Sequence, residues 1–267
     1  MNVRRYRHNV ILFLSLIVVT VLSSCNGTEP SFGPVLGRDE VSGPAAPIPQ
    51  TTAQESSQEN GEDGQPIQYP QTTAVPAVGE SCHSNNQNKI CLALKYVTYK
   101  DPTGEAIINE QQATANLAQI NAVWQQCDIG FQVDSYLQIE PTEYKLRYQT
   151  ADNYELDDIR DVFFDDSTLL VATTGSWDRS GSLGGTGANA WTSMPGSPPY
   201  GAILERPVST HTNIIAHELG HYLNLLHAND GSALMNPIVY QESTKIYDSD
   251  CETARAAATH FWPKMLR

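Results

Sequence analysis

The sequence predicts an α+β domain over residues 81–267, built from short strands and amphipathic helices. Two stretches carry strand signals: residues 90–99 are rich in Leu, Val and Tyr, and residues 169–172 are wholly apolar, as in a buried central strand. Residues 110–126 instead carry apolar side chains every three or four positions, which is typical of a helix. A chain of 267 residues is long enough for one sizeable core with extensions outside it.

Residues 1–24 are predicted to be an export signal outside the fold. Three arginines precede an apolar run over residues 10–22 that is too short for a comfortable membrane span. The run ends in Ser-Ser-Cys25, which resembles a bacterial lipobox, whose cysteine is lipidated. The resemblance implies an exported protein held on a bacterial membrane through Cys25, and Asn26 in place of aspartate favours the outer membrane. An ordinary signal peptide with a chance cysteine is the alternative.

Residues 25–80 are predicted to be a disordered tether. Pro, Gly, Ser, Thr, Gln and Glu dominate this stretch, and its scattered apolar residues cannot bury enough surface to fold. Such a linker would hold the folded domain away from the bilayer. An inhibitory pro-segment is the alternative interpretation of the same stretch.

The first helix of the domain has an identifiable start and one apolar face. Asn109 and Gln112 fit an N-cap and the reciprocal cap three residues later. The apolar face then follows at helical spacing and consists of Ala113, Leu117, Ile120, Trp124 and Cys127. Trp124 is therefore assigned to the core rather than to a cofactor site.

The remaining elements are less sharply marked. Residues 131–139 alternate along the chain and predict a strand with one inner face, formed by Phe131, Val133, Ser135, Leu137 and Ile139. Residues 154–164 fit either a helix or an ordered loop. Residues 200–204 predict a short strand, and residues 251–261 predict the last helix.

Four cysteines follow Cys25, and an even number in an exported chain suggests two disulfides. A Cys82–Cys91 bond would close a short polar loop, and a Cys127–Cys251 bond would join the end of the first helix to the start of the last. Sequence alone allows three connectivities. A structural zinc site made of all four cysteines is the alternative, but the C-x-x-C spacing of such sites is absent.

The formal net charge of −14 argues against nucleic-acid binding, because phosphate recognition requires a basic surface. Calcium is a second candidate cofactor, since it takes carboxylate oxygens. The acidic cluster that suggests it consists of Asp152, Asp157, Asp158, Asp161, Asp165 and Asp166. No EF-hand spacing is present, so a solvated acidic face is favoured. No feature of the sequence sets an oligomeric state.

The chemistry of the chain is concentrated in residues 217–227, which contain H-E-x-x-H and a third histidine. On a helix, His217 and His221 lie one turn apart on the same face and can reach one Zn²⁺. Glu218 can then hold a water molecule as general base. His227 becomes a ligand only if the chain turns back near Asn224, a residue type that tolerates a left-handed backbone. Three histidines with one open position are typical of a catalytic zinc site.

These residues, with Met235 in the Ala-Leu-Met-Asn-Pro stretch that follows, resemble the metzincin signature of zinc endopeptidases, H-E-x-x-H-x-x-G-x-x-H and a methionine turn. The resemblance implies a twisted, mostly parallel sheet with an antiparallel edge strand, an active-site helix, a methionine turn below the metal and a C-terminal helix. The Met-x-Pro form is closer to matrixins and adamalysins than to astacins and serralysins, which carry a tyrosine where Pro237 stands. Asn224 occupies the position of the family glycine.

The same resemblance implies a strand that binds substrate by adding the peptide backbone to the sheet. It would be formed by Gly187, Ala188, Asn189 and Ala190, and a plain hairpin is the alternative. The tether has no cysteine between Cys25 and Cys82, so a matrixin-type cysteine switch is absent.

The sequence therefore predicts a zinc-dependent endopeptidase that hydrolyses protein or peptide substrates. His217, His221 and His227 would hold one zinc ion, and Glu218 would act as general base on an activated water. Two alternatives stay open, a non-catalytic metal-binding surface lipoprotein and a zinc amidase acting on cell-wall peptides. Glu218 argues against the first, because metal binding alone does not need this glutamate.

Overall fold

The computed structural model describes residues 35–47, residue 82 and residues 88–267. The predicted signal peptide, the lipidation position Cys25 and the rest of the predicted tether lie outside these described residues. Within the part of the chain that is described, no helix combines the length and the apolar character needed to cross a bilayer.

The described residues form seven strands and four α-helices. The strands are β1 Val35–Ser42, β2 Ile90–Tyr99, β3 Ile129–Ile139, β4 Leu169–Thr173, β5 Ala190–Ser193, β6 Ala202–Leu204 and β7 Ile238–Tyr240. The helices are α1 Glu110–Trp124, α2 Asn153–Phe163, α3 Thr212–Tyr222 and α4 Asp248–Phe261.

The strands form one mixed sheet in the order β3-β2-β4-β6-β5-β1-β7. β3, β2, β4 and β6 are parallel, whereas β5 runs antiparallel to β6. Parallel strands need long crossover connections, and these contain α1 between β2 and β3, and α2 between β3 and β4. The α+β class and the mostly parallel sheet are confirmed, and the predicted antiparallel strand is β5, whose direction β1 shares.

β1 lies in the stretch predicted to be a disordered tether, and the tether prediction is wrong for these residues. Residues 39–42 pair in parallel with β5, and Val35, Gly37 and Arg38 pair antiparallel with β7. Composition did not reveal this strand because glycine and charged residues make up half of it. This segment is ordered because its backbone pairs with two other strands, and amino-acid composition carries no information about such pairing.

β3 contains a bulge that the alternation argument missed. Adjacent residues of β2 pair with Val133 and Ser135, so Asp134 is an extra residue on β3. Past the bulge the inner face changes: Leu137 is 38% exposed, whereas Tyr136 packs against the core. The predicted single inner face is therefore wrong beyond Val133.

α1 begins at the predicted capping box. Asn109 Oδ1 accepts from Gln112 N and Gln112 Oε1 accepts from Asn109 N, each at 2.9 Å. α1 ends at Trp124, two residues before the predicted end, and continues as a 3₁₀ turn over Gln125–Cys127. The stretch that fitted either a helix or a loop contains α2.

Both suggested disulfides are present in the structure. Cys82 is bonded to Cys91 with a Cα–Cα distance of 5.7 Å, and Cys127 to Cys251 with 4.8 Å. The second bond joins the turn after α1 to α4. Oxidised sulfurs do not ligate metal, so the four-cysteine zinc site is excluded.

Helices cover both faces of the sheet, and two tryptophans hold α3 in place. α1, α3 and α4 pack on one face, and α2 packs on the other. Trp124 Nε1 donates to Ala216 O at 3.1 Å, and Trp262 Nε1 donates to Tyr222 O at 2.7 Å. These two hydrogen bonds hold α3 at its middle and at its end. The surrounding core adds to this, because burying an apolar side chain fully contributes about 1.5–3 kcal/mol to the stability of the fold.

Candidate active site

α3 is buried along its length, including the polar residues predicted to bind metal. Its apolar stripe lies in the core and consists of Ile215, Leu219 and Tyr222. His217, Glu218 and His221 each have 0% exposure. Because burying a polar group without a partner is costly, this face of α3 requires specific partners from the surrounding elements.

The chain reverses immediately after α3, at Asn224. This residue has a φ of 65°, in the left-handed region that asparagine tolerates. Leu225 N donates to Gly220 O at 2.9 Å, which closes the turn over the last carbonyls of the helix. The reversal brings His227 to the other two histidines, and the ligand atoms of all three lie within 4.8 Å of one another.

Backbone carbonyls orient two of the three imidazoles. His217 Nδ1 lies 2.5 Å from Leu234 O, and His221 Nδ1 lies 2.8 Å from Leu225 O. A carbonyl can only accept, so each Nδ1 donates and each Nε2 presents its lone pair. The two Nε2 atoms are 3.1 Å apart. Tetrahedral Zn–N bonds of about 2.05 Å would separate them by about 3.3 Å, so this donor set fits a zinc ion.

Met235 lies against α3, as the resemblance implied. A Cβ at Gly220 would collide with Met235 Sδ, so the absence of a side chain at Gly220 lets the turn approach the helix. Ala228 N donates to Met235 O at 2.7 Å, and Leu234 O, one residue earlier, accepts from His217. The backbone of the methionine turn therefore joins the segment of the third histidine to the first.

Glu218 is bonded to the sheet by a residue that the sequence did not single out. Thr192 Oγ1 of β5 donates to Glu218 Oε2 at 2.5 Å, and both side chains are fully buried. A threonine in a short strand carries no sequence signal for such a role. Only the packing of β5 beside α3 could have revealed it.

A buried arginine holds β5 against the rest of the sheet. Arg160 of α2 donates from Nη2 to Trp191 O at 2.8 Å and from Nε to Gly201 O at 2.9 Å. Burial lowers the pKa of Arg160, and its ion pair with Asp157 at 2.7 Å opposes that effect. Because the guanidinium bonds a carbonyl in β5, it fixes the strand that carries Thr192.

The strand predicted to bind substrate starts later than expected. β5 begins at Ala190, so Gly187, Ala188 and Asn189 precede it. Gly187 has a φ of 70°, which is incompatible with a strand, and Asn189 Nδ2 donates to Glu205 Oε2 at 2.6 Å. The placement of the strand along the chain was therefore wrong by three residues at its start. In the described structure it is also not an edge, because β1 lies beside it.

Three of the six aspartates of the acidic cluster on and around α2 form ion pairs: Asp157 with Arg160, Asp165 with Lys95, and Asp166 with Lys264. Within the described ranges, the three histidines are the group of metal-ligating side chains that converge on one point.

The family model described as Matrixin matches residues 93–256 of the chain. The crystal structure of metalloproteinase-II from Bacteroides fragilis is similar with a TM-score of 0.44 and 15% sequence identity. That match covers 62% of this chain and 53% of the other, or about half of its length. No curated protein matches the sequence.

Proposed function

This chain belongs to the matrixin family of zinc-dependent metallopeptidases, and on that premise we propose that it is an endopeptidase, which cleaves bonds within a polypeptide. The observation that carries the proposal is the position of β5, whose Thr192 bonds Glu218 of the active-site helix and whose backbone pairs with an extended segment, residues 39–42. A strand that pairs with the interior of an extended chain beside the candidate catalytic residues suits an endopeptidase better than an enzyme that trims ends.

His217, His221 and His227 would hold the metal, since their converging ligand atoms fit a zinc ion. Zinc, when bound, supplies Lewis-acid polarisation of the scissile carbonyl and lowers the pKa of water. Leu234 O and Leu225 O fix the rings of the first two histidines, so their Nε2 atoms need little reorganisation on binding.

Glu218 is the residue we assign to proton transfer. It follows His217 directly in α3, and its carboxylate is held by Thr192. In this proposal Glu218 takes a proton from the attacking water and delivers it to the nitrogen of the leaving amine. The oxygen of the water forms the new C–O bond, and the C–N bond breaks. The proton that Glu218 took from the water leaves on the amine nitrogen, so the carboxylate ends the reaction in its starting form.

The substrate would bind by strand addition to the side of β5 that residues 39–42 occupy in the described structure, in exchange for that segment. Thr192 lies in β5 and bonds the general base, so a peptide paired with this strand passes directly beside Glu218. Arg160 anchors Trp191 in the same strand. These contacts support a protein or peptide substrate and do not by themselves specify a sequence preference.

The predicted location remains part of the proposal. We propose an exported chain anchored through an acylated Cys25, on the order of basic, apolar and small residues that precede it. Stable anchoring requires two membrane signals, such as two acyl chains.

The test is a cleavage profile of the zinc-loaded full chain on a broad peptide library, with and without a chelator. Cuts at internal bonds that disappear with chelator and return with added zinc are expected. Removal of terminal residues alone would contradict the endopeptidase assignment. Activity on murein peptides but not on protein-derived peptides would favour the cell-wall amidase instead.

A further inference from the structure

We propose that Asn224 is a specificity-determining residue, whose side chain binds the backbone of one substrate residue beyond the end of β5. This inference rests on the proposed peptidase function and adds a second contact to the pairing of the substrate with β5. Three observations support it: the hydrogen bonds of the Asn224 carboxamide, its burial beside the histidines, and the position of its partner past the end of the paired strand.

The carboxamide of Asn224 binds both backbone groups of a single residue. Its Oδ1 accepts from Ala46 N and its Nδ2 donates to Ala46 O, each at 2.8 Å. The same exchange of one donor and one acceptor joins two residues of a hydrogen-bonded strand pair. The carboxamide therefore presents the hydrogen-bonding groups of a one-residue strand edge. A half-turn of the carboxamide exchanges its oxygen and nitrogen, so it can bind an extended peptide that runs in either direction.

The turn after α3 places this carboxamide close to the metal-binding histidines. Asn224 N donates to His221 O at 3.0 Å, and Asn224 lies in the turn that leads to His227. The residue is only 5% exposed, and a buried donor or acceptor without a partner costs free energy. If a substrate takes the place of residues 39–42 and Ala46 leaves with them, the substrate backbone can restore both hydrogen bonds.

The partner of Asn224 lies outside the stretch that β5 itself can bind. Ser42 is opposite Ser193 at the end of the pairing with β5, and Ala46 follows four residues later. Ala46 also lies near the loop after β5, because a Cβ at Gly196 would be 3.5 Å from Ala46 Cβ. Asn224 thus offers hydrogen bonds to a peptide after it has passed the last residue of β5.

The turn itself does not require this carboxamide. Asn224 stands where the resembled family has glycine, and glycine readily adopts a left-handed backbone. Glycine would return His227 to the site but would leave no side chain to bind a peptide. The two hydrogen bonds are therefore a feature of this chain, separate from the reversal that brings the histidines together.

A series of substrate lengths tests the proposal in the zinc-loaded full chain. A peptide that the wild type cleaves is shortened by one residue at a time from each end, and kcat/KM is measured for each length. Asn224→Gly removes the carboxamide and keeps the turn, whereas Asn224→Asp keeps an acceptor and loses the donor. The matched control is Lys145→Gly, because exposed Lys145 also has a left-handed backbone, with a φ of 60°, and lies between β3 and α2.

One shortening step, away from the scissile bond, should lower kcat/KM of the wild type by roughly fivefold to 100-fold, the net contribution of two neutral hydrogen bonds. The same step should cost Asn224→Gly little and Asn224→Asp an intermediate amount, while Lys145→Gly repeats the wild-type profile. Asn224→Gly also releases Ala46, but that changes access for peptides of every length by the same factor. The ratio of kcat/KM between successive lengths is therefore unaffected by it.

The same dependence on peptide length in the wild type and in both Asn224 variants would overturn the proposal. Zinc measured per chain shows that each variant has kept its site, and Asn224→Asp provides the comparison if the glycine variant loses zinc. If every chain holds zinc and none cleaves any peptide, the proposed peptidase function fails and the role of Asn224 fails with it. The two failures are distinguishable because the first occurs in chains that cleave.

Discussion

Thr192 Oγ1 donates a hydrogen bond of 2.5 Å to Glu218 Oε2, and this bond links the strand that would hold the substrate to the residue that would move the proton. A hydroxyl bonded to one carboxylate oxygen fixes the plane of the carboxylate. On the proposed function, Thr192 would therefore act as a positioning residue, through Glu218.

Thr192→Val should lower kcat while leaving KM nearly unchanged. Valine has nearly the same shape but cannot donate, and a hydrogen bond to a charged group contributes about 1.5–3 kcal/mol, or roughly 10- to 100-fold in rate. Thr192→Ser should recover most of the loss. A merely structural defect would instead lower the melting temperature and would not be rescued by serine. An unchanged kcat in the valine variant would remove Thr192 from the mechanism.

Asn224→Val should lose zinc and activity together. Asn224 has a φ of 65°, and a β-branched residue resists that conformation, so the turn that returns His227 to the site would be lost. Asn224→Gly is the matched control and should retain zinc. The measurement is zinc per chain by elemental analysis. A valine variant that binds zinc as tightly as wild type would show that His227 is not needed as a ligand.

The two disulfides should contribute unequally to stability. Their sequence separations are 124 residues for Cys127–Cys251 and 9 residues for Cys82–Cys91. The chain-entropy model gives roughly 4–5 kcal/mol for the long loop and roughly 2–3 kcal/mol for the short one. Replacing each pair by serine and measuring the free energy of unfolding tests this order. A larger loss from the short loop would contradict it.

Lipidation predicts that the wild-type chain, expressed in a bacterium with its N-terminus intact, fractionates with membranes. Cys25→Ser should release it into the soluble fraction, because the acyl chains that would anchor it are attached to this sulfur. Mass spectrometry of the mature N-terminus is the direct readout. A mature chain that begins elsewhere and carries no acyl group would leave the ordinary signal peptide as the better interpretation.

The sequence predicted the parts of the fold that depend on interactions between residues close together in the chain. Asn109 and Gln112 cap α1 as their spacing implied, because a capping box depends on residues three positions apart. The wholly apolar run 169–172 lies in β4, an inner strand of the sheet, because a strand that is buried on both faces suits such a run. The spacing of the three histidines, with a turn-compatible Asn224 between them, indicated their convergence.

The parts that the sequence missed depend on distant partners. Residues 35–42 form a strand because β5 and β7 supply hydrogen bonds, not because of their own composition. The bulge at Asp134 shifts the later residues of β3 to the opposite face of the sheet. A prediction from alternating residues assumes that each residue keeps its face along the whole strand. Thr192 bonds Glu218 only because β5 lies beside α3, and no spacing along the chain encodes that contact.

Zinc content measured beside cleavage rate in Glu218→Gln is the most direct test of the central claim, that the histidines bind the metal and Glu218 moves the proton. Glutamine is nearly isosteric and leaves the three imidazoles in place, so zinc should stay near one per chain. Cleavage should fall by roughly 10²- to 10⁴-fold, because glutamine cannot accept a proton from water. His221→Ala, the matched control, should lose zinc and cleavage together.

Both variants should be assayed beside the wild-type chain at the same zinc loading. We expect full zinc with little cleavage for Glu218→Gln. Full cleavage by Glu218→Gln would contradict the proposed mechanism, and a wild-type chain that holds zinc but cleaves no peptide would identify a binding protein instead of a peptidase.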